Sequence, residues 1–131
     1  MPIGEKKKIY IVDDDEVLLN MYTIKFRSAG FDVEVSKDSL YALEKLRAGL
    51  TPDVLLLDVV MPGTDGIELL ENIRKEGLVS NAVVLILSNQ SAPEDIERAK
   101  NLKVDGFIVK ATTIPSEVVI EVQNAMKAHA K

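Results

Sequence analysis

The chain has 131 residues, 47% of them hydrophobic and 28% charged, with a formal net charge of −5. That length suits one domain around a single core, and the charge gives no general electrostatic reason to bind nucleic acid or an anionic membrane. There are no cysteines, which excludes disulfides, thiolate metal sites and cysteine nucleophiles.

The first eight residues are polar and basic, and only the short apolar stretch Ile9–Val12 follows. A secretory signal needs a longer apolar core, and a membrane span needs about 20 such residues. The chain therefore reads as soluble and cytoplasmic. "KIYIVD" (8–13) has strand character. Residues 15–29 then carry helix-spaced Val17, Leu18, Met21, Tyr22 and Phe26 and end at Gly30. "DVEVS" (32–36) alternates as a strand does, and 38–48 place Leu40, Leu43 and Leu46 near helical spacing before Gly49. "DVLLLD" (53–58) is an apolar strand after Pro52, followed by the turn-rich "VVMPGTDG" and a helix from about 66 to 76. "AVVLILS" (82–88) is a buried strand, and 92–103 form a short helix with Pro93 in its first turn. "GFIVK" (106–110) is the fifth strand, and Pro115 opens a last helix through Ala128. Five strands alternating with five helices, the strands rich in Val, Ile and Leu, predict an α/β domain. Its sheet is parallel and covered by helices on both faces. The whole chain, 1–131, reads as one domain with a core of about 8–127 and no output domain.

In open sheets of this kind, ligands bind beyond the carboxyl ends of the strands. The residues at those ends are Asp13-Asp14-Asp15, Ser36, Asp58, Ser88 and Lys110. Asp13, Asp14 and Asp58 make an oxygen-only site for a hard cation, and Mg²⁺ fits it. One carboxylate can then attack a phosphoryl donor, with the ion offsetting the charge on the transferring oxygens. Lys110 and Ser88 would supply a second cation and a hydrogen-bond donor. The acidic run "DDDE" (13–16) repels itself and parses two ways, as the adjacent pair Asp13/Asp14 or the alternating pair Asp13/Asp15.

"IVDDD", "LLLDVVMPGTDG", "LILS" and "GFIVK" occur in this order from the first strand to the fifth. In them the chain resembles the receiver domain of bacterial two-component response regulators, a single-domain, chemotaxis-regulator-like one, over Lys8 to about Lys127. The resemblance implies a flavodoxin-like, doubly wound five-stranded parallel sheet in the order 2-1-3-4-5, in three α/β/α layers. It implies that Asp58 is the phosphoacceptor and that Mg²⁺ is held by Asp13, Asp14, Asp58 and the backbone carbonyl of Val60. Lys110 would pair with the phosphoryl oxygens, Ser88 would move toward them, and Phe107 would be the aromatic coupled to that movement. The donor would be a histidine kinase or phosphotransfer protein. The output would be protein binding on the face of the fourth helix, fifth strand and fifth helix, with a homodimer as a further contact and no direct nucleic acid or membrane partner. Such a module catalyses its own phosphorylation and dephosphorylation without being an enzyme toward other substrates.

Several positions depart from the family pattern. Ala111 follows Lys110 where proline is usual, and a cis bond there would cost about 3 kcal/mol, so the loop is trans or strained. Asn89 stands where a small residue is usual. Val60 and Gln90 are poor candidates for activating water, and Phe107 lacks a tyrosine hydroxyl, so slow self-dephosphorylation is expected. A competing reading is a small phosphatase similar to the haloacid-dehalogenase-like family, with Asp13 as nucleophile and Asp15 as general acid. It leaves the Asp58 turn unexplained, and no cap segment is visible. Against functional roles, Asp15 suits a helix N-cap and Phe107 suits the core. His129 suits a solvated helix end without a phosphotransfer role, and Arg98, Lys100 and Lys103 suit a solvated face. Val118, Val119 and Ile120 exceed one buried stripe, so one of them is expected at the surface as a partner or dimer contact.

Overall fold

Runs such as "VLLLD" and "VVLILS" carry branched apolar side chains on both faces of the strand, which only a sheet covered on both sides can bury. The computed structural model, which describes residues 6–59, 66–88 and 93–129, buries every residue of both runs. The strands are β1 Lys8–Val12, β2 Asp32–Ser36, β3 Val54–Asp58, β4 Val83–Ser88 and β5 Gly106–Val109. The helices are α1 Glu16–Ser28, α2 Ser39–Arg47, α3 Gly66–Lys75, α4 Pro93–Asn101 and α5 Pro115–His129, with a 3₁₀ turn over Lys110–Thr112. All strand pairs are parallel, in the order β2-β1-β3-β4-β5. This is the flavodoxin-like arrangement, and it places β1 and β3 side by side at the switch in strand order.

The period-2 alternation of the strands feeds two separate cores. Tyr10, Val12, Leu55, Leu57, Val84 and Ile86 face α2, α3 and α4. Ile9, Ile11, Val54, Leu56, Leu85 and Leu87 face α1 and α5. Burial falls off toward the edges: β5 is half-buried apart from Ile108, and β2 is fully buried only at Ser36.

Two helical stripes differ from the sequence reading. The buried side of α1 is Leu19, Tyr22 and Phe26, whereas Val17 is 68% exposed and Met21 43%. Val17, Met21 and Ile24 form a second apolar stripe at helical spacing that points away from the sheet. In α2 the buried set is Ala42, Leu43 and Leu46, and Leu40 turns outward. On α5 the surplus apolar residue is Ile120, 54% exposed beside buried Val118 and Val119.

Local devices hold the loops at the carboxyl end of the sheet. Asp15 caps α1, its Oδ1 accepting the Val17 and Leu18 N–H groups at 3.0 and 3.1 Å, and Asp38 Oδ1 accepts the Tyr41 N–H at 2.7 Å to start α2. The first residue of α3, Gly66, presses against the end of β3. A Cβ there would lie 1.9 Å from the Asp58 carbonyl oxygen, so no other residue fits without moving the backbone. The Lys110–Ala111 bond is trans.

Candidate functional site

Asp13 leaves the end of β1 fully buried. Its N–H donates to the Ser36 carbonyl at 3.1 Å, and its Oδ1 accepts the Asp15 N–H at 3.0 Å. Its Oδ2 lies 2.8 Å from Lys110 Nζ, yet that buried oxygen has no hydrogen bond of good alignment. Asp58, the last residue of β3, is 3% exposed, and its Oδ1 is 3.5 Å from the same ammonium. Asp14 is exposed at the mouth. One carboxylate oxygen from each of Asp13, Asp14 and Asp58 can be drawn within 4.8 Å of the others.

The acidic run is thereby divided. The Asp15 side chain is committed to the helix start, and the adjacent pair Asp13/Asp14 faces Asp58. With its carboxylate spent on two backbone N–H groups, Asp15 is poorly suited to act as a general acid, and the phosphatase reading finds no support.

Lys110 reaches this pocket from the first residue of the 3₁₀ turn, its side chain 6% exposed. Burial alone would push its pKa down. The Asp13 and Asp58 carboxylates outweigh that and hold it above the usual lysine value. The field of the carboxylates reaches beyond the pocket: burial first, then Asp13, Asp58 and Asp15, raise the Tyr22 hydroxyl on α1 to about 12. Three carboxylates facing one ammonium leave a net negative site built only of oxygen ligands. That donor set fits a hard divalent cation.

Ser88 ends β4, buried, one step past the Leu87 that pairs with Asp58. Phe107 pairs with Ile86 and is half-buried against the α2–α3–α4 core rather than enclosed by it. Position 60, the expected carbonyl ligand, and positions 61, 62, 89 and 90 lie outside the described residues.

Other expectations change. His129 is not simply solvated, since its Nδ1 lies 3.0 Å from Asp105 Oδ1. Arg98 lies on a solvated face as expected, and there it donates to Glu71 of α3 at 3.2 Å. Lys103 lies past the end of α4, at a φ of 60°. The sequence pattern also does not reveal that the Tyr10 hydroxyl and Ser36 Oγ are hydrogen-bonded inside the fold. A tyrosine within a fully apolar strand was the available signal, because a buried phenol needs a polar partner. Among the described residues, no helix is long and apolar enough to cross a membrane.

The family model of the response regulator receiver domain matches residues 9–122. The regulator of RpoS from Escherichia coli is 36% identical over 104 residues, 79% of this chain and 30% of that protein. The DNA-binding response regulator MtrA of Mycobacterium tuberculosis is 32% identical over 122 residues, 93% of this chain and 51% of that protein. The chain therefore spans from about a third to about half the length of these relatives. Among solved structures, the receiver domain of the Francisella response regulator 1452 superposes with a TM-score of 0.80 at 32% identity, covering 94% of this chain and 98% of that one. The chemotaxis protein CheY4 of Vibrio cholerae superposes at 0.84 with 26% identity, covering 92% and 99%. The chain belongs to the receiver-domain family of two-component response regulators.

Proposed function

We propose that Asp58 is the phosphoacceptor of this receiver and that Asp13, Asp14 and Asp58 hold Mg²⁺ beside it, with the carbonyl of residue 60 as a further ligand. The observation that carries the reading is the meeting of two buried carboxylates, a third at the mouth and the buried Lys110 ammonium at the carboxyl ends of β1, β3 and β5. An Asp58 carboxylate oxygen attacks the phosphorus of a phosphohistidine. A P–O bond forms as the P–N bond breaks, and the imidazole leaves with its electron pair and takes up a proton. Lys110 offsets charge on the transferring oxygens, and Ser88 donates a hydrogen bond to one of them. When bound, the cation neutralises the remaining charge and makes approach of an anionic donor to three carboxylates feasible.

The outward stripe Val17–Met21–Ile24 begins one turn from Asp14 and offers the donor protein an apolar seat beside the pocket. Output is read on the α4–β5–α5 face, where Phe107 is half-buried and Ile114 and Ile120 are exposed. Movement of Ser88 toward the phosphoryl group would bias Phe107 and that surface. This surface also offers a homodimer contact. The protein accelerates its own phosphorylation without acting on other substrates, and it works in the cytoplasm, where the kinase presents its phosphohistidine.

Labelling with acetyl phosphate and Mg²⁺ tests the assignment. Phosphoryl label and a beryllofluoride adduct should both map to Asp58, and Asp58→Asn should abolish labelling. Undiminished label in that variant sinks the assignment.

A further inference from the structure

Of the five strand ends, only that of β2, at Ser36, brings no group to the pocket chemistry. We infer that Ser36 and Tyr10 are positioning residues for the acid pocket. Their hydroxyl clasp holds the Ser36 carbonyl where it receives the Asp13 N–H, and so sets the Asp13 carboxylate for a divalent cation. The inference rests on the reading of the pocket as a cation site.

Tyr10 sits on β1, three residues before Asp13 and fully buried, and Ser36 is 4% exposed. Their hydroxyls bond to each other across 26 positions of sequence. Burial raises the Tyr10 phenol to about 12, so it is protonated throughout the working range. A hydroxyl pair is a costly way to fill core space that apolar side chains could fill, since each hydroxyl must keep its partner or bear a desolvation penalty. What the pair does is local. Edge strand β2 is hydrogen-bonded to β1 alone, and the clasp ties its last residue to the sheet by a side chain as well as by the ladder. From Ser36 the connection runs directly to the pocket: carbonyl to Asp13 N–H at 3.1 Å, then Asp13 Oδ2 to Lys110 at 2.8 Å.

Asp13 needs such an anchor because it opens a self-repelling run of four acids, Asp13 to Glu16. Before a cation arrives, repulsion drives these groups apart and toward water. Neutral hydrogen bonds from an apolar core hold the backbone that carries the first carboxylate, without adding charge to the site. Such supporting contacts are how a metal site stays organised when empty.

The test is Mg²⁺ binding by calorimetry, which requires no phosphoryl chemistry, on Tyr10→Phe, Ser36→Ala and the double variant. Each single change should weaken Mg²⁺ by about tenfold, with acetyl phosphate labelling slowed at limiting Mg²⁺ and restored when Mg²⁺ saturates. The double variant should be no weaker than the worse single one, because either change opens the same clasp. Thermal unfolding in EDTA separates a merely structural contact. A lowered Tm with unchanged Mg²⁺ affinity in both singles overturns the inference, as does an additive loss of affinity in the double. Should Tyr10→Phe fail to fold, Ser36→Ala decides alone. Wild-type protein that binds Mg²⁺ without labelling Asp58 removes the phosphoacceptor reading and leaves the clasp to be judged on affinity. Wild-type protein that binds no Mg²⁺ removes the pocket reading and the clasp with it.

Discussion

Aspartates stand at both ends of this sheet, and the two ends use them in opposite ways. At the amino end, Asp53 Oδ2 accepts the Lys8 N–H at 2.8 Å. Asp105 Oδ2 accepts the Val84 N–H at 2.9 Å, and its Oδ1 meets His129 at 3.0 Å. These carboxylates tie strand starts together, each matched to donors that fold with it. At the carboxyl end, Asp13 and Asp58 are more deeply buried yet share the Lys110 ammonium, and one Asp13 oxygen lacks an aligned donor. Bringing two carboxylates and an ammonium out of water carries a desolvation penalty, so the carboxyl end keeps an arrangement that folding alone would not favour. Acids that share one ammonium, rather than acids each matched to a backbone donor, distinguish the carboxyl end.

Glycines sharpen the contrast most. Gly66→Ala drives a Cβ to 1.9 Å from the Asp58 carbonyl oxygen, whereas at Gly106, at the amino end, the nearest atom would be Leu85 Cδ2 at 3.0 Å, the tip of a flexible side chain. Gly66→Ala should cost about 3 kcal/mol or more by urea denaturation and displace Asp58 from its labelling geometry. Gly106→Ala should cost about 1 kcal/mol and leave labelling intact. Equal effects at the two sites would break the comparison.

Lys110→Ala comes next. Removing the ammonium leaves two buried carboxylates without it, and the protein in EDTA should lose about 3 kcal/mol. Because its folded pKa is raised, the stability Lys110 contributes is fully present below its unfolded pKa of about 10.4 and is lost as pH rises through the folded value. The gap between wild type and variant should thus be flat from pH 7 to about 10 and close above that. A gap closing below pH 9 would show that the carboxylates do not hold the proton.

The smallest expected effects belong to aspartates with ordinary partners. Asp105→Asn should cost about 1–2 kcal/mol, and Asp15→Ala about 1 kcal/mol through loss of the cap. Neither should slow labelling of Asp58 by more than about twofold, well within that 1 kcal/mol range. A tenfold slowing in Asp15→Ala would return its carboxylate to the chemistry.

The order of elements was legible because each strand is a short run of branched apolar residues between helical patterns, and the strand-end rule then pointed to Asp13, Asp14, Asp58, Ser88 and Lys110 together with Asp15 and Ser36. The face of α1 was not legible. Val17, Met21 and Ile24 keep the same periodicity as Leu19, Tyr22 and Phe26, and periodicity alone cannot say which stripe meets the sheet. His129 with Asp105, and Tyr10 with Ser36, were hidden for another reason. Each pair joins residues 24 or 26 positions apart, one through the β1–β2 register and the other through the packing of the end of α5 beside Asp105, and local pattern encodes neither.

If the outward stripe of α1 seats the phosphoryl donor as proposed, its size also bears on how long that donor stays. Three side chains make a small contact, in the class of transient encounters rather than obligate complexes. Differences in affinity between such complexes fall mainly on dissociation, so a patch this size favours brief visits. A phosphoryl donor must leave before the acquired label can be read elsewhere, and a wider apolar seat would turn the donor into a trap.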